Sequence, residues 1–164
     1  MTARSATPGD ADAIARIYNE GIEDRVATFE TRLRAGEDVR AWFDGAHPIV
    51  VVEDGDVVED GGVVAFAATF QYRPRQCYAG IAEASVYVAR AYRHRCAGRI
   101  ALQALIEAAK EAGFWKLLSR IFPENTASLG LVRQLGFREV GIYEKHGRLD
   151  GRWRDLVIVE RLIG

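Results

Sequence analysis

The chain has 164 residues, of which 49% are hydrophobic and 27% charged, with a formal net charge of −1. This length predicts a single domain, residues 1–164, with a full core, and the balanced charge argues against nucleic acid or an anionic membrane as a partner. No segment is apolar enough to span a membrane and no basic and apolar leader opens the chain, so a cytoplasmic protein is expected.

The predicted elements begin with a short strand near Ala3–Ala6. Thr7-Pro8-Gly9-Asp10 then offers a helix start with proline at the first helical position, and a weaker helix is predicted around Arg34–Phe43. The remaining predicted strands are Ile49–Glu53, Val63–Tyr72, Glu83–Val88, Trp115–Ile121, Phe137–Lys145 and Trp153–Leu162, and helices are predicted from Gly98 and from Thr126. The order β-α-α-β-β-β-α-β-α-β-β predicts an α/β mixed sheet with helices on both faces.

A near-perfect duplication interrupts this order. Val51-Val52-Glu53-Asp54-Gly55 is followed by Val57-Val58-Glu59-Asp60-Gly61. Valines favour strands and Asp-Gly pairs favour tight turns, so a lengthened hairpin is predicted. Either Asp-Gly pair can make the turn, which leaves the register of the second and third strands open.

The junction after Val88 is predicted to bind an anion. A strand ends there and a helix begins near Gly98, and the first turn of a helix presents backbone N–H groups without internal partners. Arg93, Arg95 and Arg99 add positive charge to the junction. The segment contains neither a P-loop nor a dinucleotide-binding glycine pattern. The alternative is an ordinary helix start with solvated arginines.

Two motifs resemble those of the GNAT acetyltransferases. The segment from Arg93 to Gly98 is similar to the family's Arg/Gln-x-x-Gly-x-Gly/Ala pyrophosphate loop, except that Cys96 stands where the first glycine is usual. The segment from Asn125 to Leu131, followed by Gly136-Phe137, resembles the second family motif. Cys96 is therefore expected to strain or displace the loop, because glycine is favoured where φ is positive.

Further segments are similar to the branch of phosphinothricin, arsinothricin and small amino-acid N-acetyltransferases. They include Ala27–Thr31, Arg73-Pro74-Arg75, Glu144–Gly147 and Gly151–Asp155. The resemblance implies the GNAT fold, acetyl-CoA as cosubstrate and transfer of acetyl to the α-amino group of a small amino acid or analogue. It also implies a homodimer that pairs through the C-terminal strands.

Direct attack by an amine requires a general base, because the amine is protonated near neutral pH. Glu83 is the candidate, since it opens the strand that leads into the anion loop and the resemblance places the family's catalytic glutamate there. The backbone amide of Val86 is a candidate donor to the oxyanion. The family's usual tyrosine acid is replaced by Val132, so the alternatives are water, another tyrosine such as Tyr87 or Tyr143, or no specific acid. Without the resemblance, Glu83 reads as an exposed strand carboxylate.

The other site residues follow mainly from the resemblance. Two arginines on one loop suit an anionic acceptor because a guanidinium matches carboxylate and phosphinate oxygens, although they could equally be solvated. Asn125 can bond pantetheine or simply cap its helix, and a lone histidine on a hairpin is often structural. The expected cofactor-binding residues are Val86, Tyr87, Val88, Arg93, His94, Arg95, Cys96, Ala97, Gly98, Arg99, Asn125 and Ser128. The expected acceptor-binding residues are Phe29, Glu30, Arg73, Arg75, Tyr78, His146 and Trp153.

Two other functions stay open at this point. One is acetylation of a protein N-terminus or lysine, and the other is a CoA-binding module whose altered loop has lost turnover. No metal is expected, because Cys77 and Cys96 show no metal-ligand spacing and are predicted to be reduced thiols.

Overall fold

Strands and helices follow the predicted order in the computed structural model, which describes residues 1–164. The strands are β1 (Thr2–Ser5), β2 (Ile49–Glu53), β3 (Val63–Gln71), β4 (Ile81–Val88), β5 (Lys116–Ile121), β6 (Arg138–Leu149) and β7 (Arg152–Leu162). The helices are α1 (Ala11–Asp24), α2 (Gly36–Arg40), α3 (Ala97–Glu111) and α4 (Thr126–Gln134). The predicted fold class is confirmed.

All seven strands form one mixed sheet in the order β1-β2-β3-β4-β5-β7-β6. The pair β4–β5 is parallel and every other pair is antiparallel. The parallel pairing is short, since it joins only three residues of each strand and ends where Glu83 faces Leu118. The two strands separate beyond that point, in the middle of the sheet.

Hydrophobic cores lie on both faces of the sheet. One face packs against α3, whose buried residues Ala101, Leu102, Leu105 and Ala109 recur with helical spacing. The opposite face packs against α1 and α2. A smaller buried cluster lies under the β6–β7 hairpin and consists of Phe122, Leu149, Leu156 and Ile158. No helix in the chain is both long and apolar enough to cross a membrane.

The start of α1 is tied to β1. A short 3-10 turn, Pro8–Asp10, precedes the helix, and the Thr7 N–H donates to the Asp10 carboxylate at 2.8 Å. Arg4 on β1 donates two hydrogen bonds to the same carboxylate, each 2.8 Å long. The hydrogen bond from Arg4 lowers the pKa of Asp10. The predicted proline start is thus confirmed for the turn, while the α-helix itself begins at Ala11.

Most predicted boundaries differ from the structure by one or two residues, and β4 begins at Ile81, two residues before Glu83. Two elements differ by more. The helix α2 is shorter than predicted, and its first turn is held by Asp38, which accepts from the Ala35 N–H at 2.8 Å. The strand β6 is longer and continues to Leu149. In the duplicated hairpin both Asp-Gly pairs lie in one connection, residues 54–62. The Val57 N–H donates to the Asp54 carbonyl at 3.0 Å across the first pair, and Asp60 and Gly61 of the second pair have positive φ, 51° and 67°.

Candidate active site

The opening between β4 and β5 is the feature around which the candidate residues gather. Where parallel pairing ends, the Ser119 hydroxyl donates to the Ala84 carbonyl at 2.9 Å. Beyond it, the edge of β4 that faces β5 has no partner strand. The opening is therefore a place where a ligand can pair with the β4 backbone.

The peptide groups of Val86 and Val88 face this opening. The Ala89 N–H donates to the Val64 carbonyl of β3 at 2.8 Å, which makes these two residues a hydrogen-bonded pair. Hydrogen-bonded and non-hydrogen-bonded pairs alternate along antiparallel strands. In the register of β3 and β4, Tyr87 is then bonded to β3, whereas Val86 and Val88 are not. Their N–H and C=O groups point toward β5.

A pocket occupies the opening. Its lining residues are Ala27, Ser85, Val86, Tyr87, Ser119, Arg120, Ile121, Asn125, Ser128, Leu131 and Val132. Burial raises the pKa of the Tyr87 phenol, so this hydroxyl stays protonated at neutral pH. A larger, more open cleft of about 430 Å³ lies between α1 and α2. It contains none of the predicted site residues, so we place the candidate site in the β4–β5 pocket.

Glu83 lies at the closed end of this opening and is 23% exposed. Its carboxylate accepts a hydrogen bond from the Arg120 guanidinium on β5. Sequence reasoning missed Arg120, which belongs to no motif and sits on a predicted strand between a serine and an isoleucine. Only the parallel pairing of β4 with β5, which no local pattern encodes, brings it to Glu83.

The anion loop ends in the first turn of α3. Its first helical hydrogen bond runs from Ile100 N–H to the Cys96 carbonyl at 3.1 Å, so the preceding amides have no intrahelical acceptor. His94 and Cys96 both have left-handed backbones, with φ of 65° and 66°. Cys96 thus occupies the conformation for which glycine is usual, and the loop keeps its shape at the expense of strain.

Gly98 permits close packing behind this loop. A Cβ at this position would lie 3.3 Å from the Val88 side chain and 3.4 Å from that of Leu131. The start of α3 is therefore held against β4 and α4. Because alternative packing would move the first-turn amides, Gly98 fixes where an anion can bind.

The arginines of the loop have different partners. Arg93 pairs with Asp24 at the end of α1 at 2.6 Å, and Arg90 pairs with the same carboxylate at 2.9 Å. Arg95 lies over the Tyr92 ring at 5.1 Å, and neither Arg95 nor Arg99 is in an ion pair. These last two guanidinium groups are exposed and available to an anion, whereas Arg93 ties the loop to α1.

Asn125 caps α4. Its side-chain oxygen accepts from the Ser128 N–H at 3.2 Å, which leaves the amide N–H groups of Asn125 unused by the cap. Both residues line the pocket together with the buried Val132. The capping interpretation is thus correct, and it is compatible with a role in binding pantetheine.

Phe29 packs against Phe122 and the C-terminal hairpin. Its ring packs edge-on against Phe122 with centroids 4.9 Å apart, and a Cβ on Gly147 would approach it to 2.8 Å. The neighbouring Glu30 pairs with Arg34 at 2.8 Å. The Ala27–Thr31 segment is therefore held over the sheet by β6 and β7.

Arg73, Arg75 and Tyr78 lie on the loop that joins β3 to β4 and leads into the strand that carries Glu83. Tyr72 and Tyr78 pack edge-on at 5.6 Å, and Arg73 lies 5.1 Å from the Tyr72 ring. A hydrogen bond to Tyr72 raises the pKa of the Arg73 guanidinium, which is charged in any case. Arg75 is exposed and makes no ion pair.

His146 and Trp153 lie on opposite strands of the exposed β6–β7 hairpin. His146 packs beside Tyr143 at 4.7 Å, where a bulge interrupts the pairing of the two strands. Arg148 lies 4.3 Å above the Trp153 ring. The structure does not place either residue in the β4–β5 pocket of this chain.

The opening in the sheet and the free amides at the start of α3 are features of an acetyltransferase. Residues 14–137 match the model of the Acetyltransferase (GNAT) family, and the chain therefore belongs to the GNAT acetyltransferase family. The resemblance drawn from the motifs is confirmed. No group of histidine, cysteine and acidic side chains in the chain has the arrangement of a metal site.

Among its relatives is the L-methionine sulfoximine/L-methionine sulfone acetyltransferase of Pseudomonas aeruginosa, 34% identical over 96% of this chain and 91% of the relative. A phosphinothricin acetyltransferase of Sinorhizobium meliloti, crystallised with acetyl-CoA, has a TM-score of 0.89 and 29% identity over 99% of this chain and 88% of that one. A ribosomal-protein-alanine N-acetyltransferase of Brucella melitensis has a TM-score of 0.90 and 32% identity over 99% of both chains.

The cosubstrate of this family, acetyl-CoA, fits the residues present. Free first-turn amides of α3 and the unpaired Arg95 and Arg99 suit a pyrophosphate. The unpartnered edge of β4 and the Asn125 amide suit the peptide-like groups of pantetheine. Acetyl-CoA as cosubstrate is thus confirmed, while the role of each residue stays a prediction.

Proposed function

We propose that the protein acetylates the α-amino group of a small amino acid or analogue, of the kind named by its phosphinothricin and methionine sulfone relatives. One observation carries the proposal. The opening between β4 and β5 has a carboxylate, Glu83, at one end and an anion-binding helix start at the other. A candidate base and a candidate nucleotide-binding segment therefore lie at the two ends of one opening, which supports the proposal.

Acetyl-CoA supplies an activated acetyl thioester. Glu83 accepts a proton from the acceptor ammonium, and the amine nitrogen then forms a bond to the acetyl carbon while the carbon–sulfur bond breaks. The Val86 N–H, free of β3, is the candidate donor to the acetyl oxygen. The attacking nitrogen loses its second proton as the amide forms, and the departing thiolate takes up one proton, relayed by water or by Tyr87, which lines the pocket, so the proton balance closes.

The acceptor side is formed by the Ala27–Thr31 segment and the β3–β4 loop. Phe29 offers an apolar wall and Arg73 and Arg75 offer cations for a carboxylate or phosphinate. Glu30, Tyr78, His146 and Trp153 are assigned to the same side by family resemblance alone. His146 and Trp153 do not line the β4–β5 pocket of their own chain, and in this proposal they contact the acceptor bound to the second chain of a dimer.

A homodimer and a cytoplasmic location complete the proposal. The edge strand β6 exposes Val140, Ile142 and Tyr143, and the facing β7 exposes Trp153. Exposed apolar residues on an unpaired edge strand favour association with a second chain. Both cysteines are exposed and free, as thiols are in a reducing compartment.

Acetylation of a protein N-terminus is a second candidate. It is favoured by the similarity to the ribosomal-protein-alanine N-acetyltransferase. The unpaired, exposed Arg75 beside the site favours an amino acid with an anionic side chain instead, because a peptide with N-terminal alanine carries no anion at the end of its first side chain.

The test measures acetyl-CoA turnover as release of free thiol. The acceptors are L-phosphinothricin, L-methionine sulfone, ordinary amino acids and a peptide with N-terminal alanine. We expect the amino-acid analogues to be the best acceptors, and Glu83→Gln to lower kcat/KM by about 100-fold or more without loss of fold. Glu107→Gln, on the exposed face of α3, is the matched control.

Exclusive turnover of the peptide would replace the leading proposal by the second candidate. Acetyl-CoA binding without turnover of any acceptor would instead identify a CoA-binding module. Activity of the Glu83→Gln protein close to that of the wild type would remove Glu83 from the mechanism.

A further inference from the structure

Arg120 lies on the same face of the sheet as Glu83. Successive residues of a strand point to opposite faces. Leu117 and Ile121 of β5 are buried in the core beneath α3, so Leu118 and Arg120 point to the other face. Glu83 pairs with Leu118 in the parallel register, and Arg120 therefore follows Glu83 by two residues along the opening.

This face belongs to the acceptor side of the site. Leu118 packs against the small cluster that also contacts Phe29. Arg120 is paired in register with Ile158 of the same cluster. It also lines the β4–β5 pocket. Arg120 therefore lies between the β4–β5 pocket and the buried cluster against which Phe29 packs.

The guanidinium of Arg120 is only partly used by the protein. Its Nη2 donates to Oε1 of Glu83, and the structure gives it no other hydrogen bond. A guanidinium has five N–H donors in a planar fork. The side chain is 41% exposed. Most of its donors are consequently free to bind an anion next to Glu83.

We propose that Arg120 binds the α-carboxylate of the acceptor and, before the acceptor binds, positions Glu83. This inference rests on the proposed function. When the acceptor binds, Arg120 exchanges the Glu83 oxygen for the acceptor carboxylate, and Glu83 Oε1 becomes available to the ammonium. No bond other than hydrogen bonds and ion pairs changes in this exchange.

The covalent structure of an amino acid supports this arrangement. The amino group and the carboxylate are attached to the same carbon, so the group that binds the carboxylate must lie beside the base. Arg120 is the cation in contact with Glu83. Arg73 and Arg75 lie on the opposite side of Glu83, before β4, and are placed to bind an anion at the far end of the acceptor side chain.

The arrangement links acceptor recognition to the base. When an amine without the carboxylate binds, Arg120 stays hydrogen-bonded to Glu83 Oε1. That oxygen is the one that would accept the proton of the amine's ammonium group. Such an amine is therefore expected to lose turnover as well as affinity. L-methionine sulfone and 3-(methylsulfonyl)propylamine make a matched pair of probes, since they differ only by the carboxylate.

The experiment compares wild type, Arg120→Met, Arg120→Lys and the control Arg138→Met, which breaks another strand-to-strand ion pair, that of Arg138 with Glu160. Calorimetry with CoA present measures binding of each probe, and thiol release measures kcat and KM. We expect Arg120→Met to weaken binding of the sulfone amino acid by about tenfold or more. Binding of the amine should not change, and Arg120→Lys should recover part of the loss.

Equal effects of Arg120→Met on both probes, or no effect on either, would overturn the inference. If the wild type binds the amino acid through Arg120 but never acetylates it, the proposed function fails and the binding inference stands. If it acetylates the amino acid and Arg120→Met binds it normally, the proposed function stands and the inference fails. Failure of the wild type to bind the amino acid contradicts both.

Discussion

Replacing Cys96 by glycine should relieve strain in the cofactor loop. Cys96 has φ 66° and ψ 3°, a left-handed conformation that costs an L-residue about 1–2 kcal/mol. Glycine removes this cost, but it also lowers the free energy of unfolding by about 0.4–1 kcal/mol because it increases the conformational entropy of the unfolded chain. At the midpoints of these two ranges the net expected gain in the free energy of unfolding is about 0.8 kcal/mol, or about 2–3 °C in Tm for a chain of this size.

The assay combines thermal unfolding with calorimetry of acetyl-CoA binding. Cys96→Ala is the control, because it removes the thiol and keeps the Cβ in the same left-handed backbone. We expect Cys96→Ala to unfold close to the wild type and Cys96→Gly to unfold later and bind acetyl-CoA up to about tenfold more tightly, since a phosphate can approach the bare backbone. His94→Gly, at φ 65°, should also raise Tm.

A thiol probe gives an independent check. Cys96 and Cys77 are both exposed, so the experiment uses a Cys77→Ser background. Alkylation of Cys96 should block acetyl-CoA binding, and acetyl-CoA should protect the thiol. Equal Tm and equal affinity of the Cys96→Gly and Cys96→Ala proteins, with no protection, would refute the reasoning, because the Cβ would then cost nothing at this position.

Three further perturbations have defined outcomes. Arg75→Ala should raise KM for an anionic acceptor about tenfold or more and leave KM for acetyl-CoA unchanged; steady-state kinetics with each substrate varied would show the reverse if Arg75 served the nucleotide. Gly147→Ala should raise acceptor KM by displacing the Phe29 ring, whereas Gly141→Ala, which meets nothing within 4 Å on the same strand, should behave like the wild type. Asp10→Asn should lower the free energy of unfolding by about 1–2 kcal/mol at pH 7. Because the folded-state pKa of Asp10 is lowered, denaturant titrations should show this difference shrinking as the pH falls below about 4, and a constant difference would contradict it.

The order of elements was predictable because hydrophobic periodicity and turn residues are local signals. Helix α3 was identified from the spacing of its buried leucines, and Gly113 ends it with φ 92°. The far end of β6 was missed because this strand is exposed along most of its length. An edge strand without a buried face lacks the alternation on which strand prediction depends.

Site residues that belong to a sequence motif could be predicted. Contacts between segments that are distant in the sequence could not. The anion loop, Glu83 and the Asn125 cap all belong to recognisable sequence segments. Arg120 contacts Glu83, a residue 37 positions earlier in the sequence. Arg93 contacts Asp24 on α1. Both contacts depend on the topology of the sheet and the packing of α1, which no short stretch of sequence specifies.

The duplicated hairpin also gives the chain two ways to pair the same strand. The copies are offset by six residues, an even number, so exchanging them would keep every valine on its original face of the sheet. Exchange would leave residues 60–62 as a three-residue connection, a common hairpin length. The two residues that precede each copy in the sequence determine which copy pairs with β3. Ile49 and Val50 are buried before the first copy, whereas Gly55 and Asp56 precede the second, and only the former can fill the core.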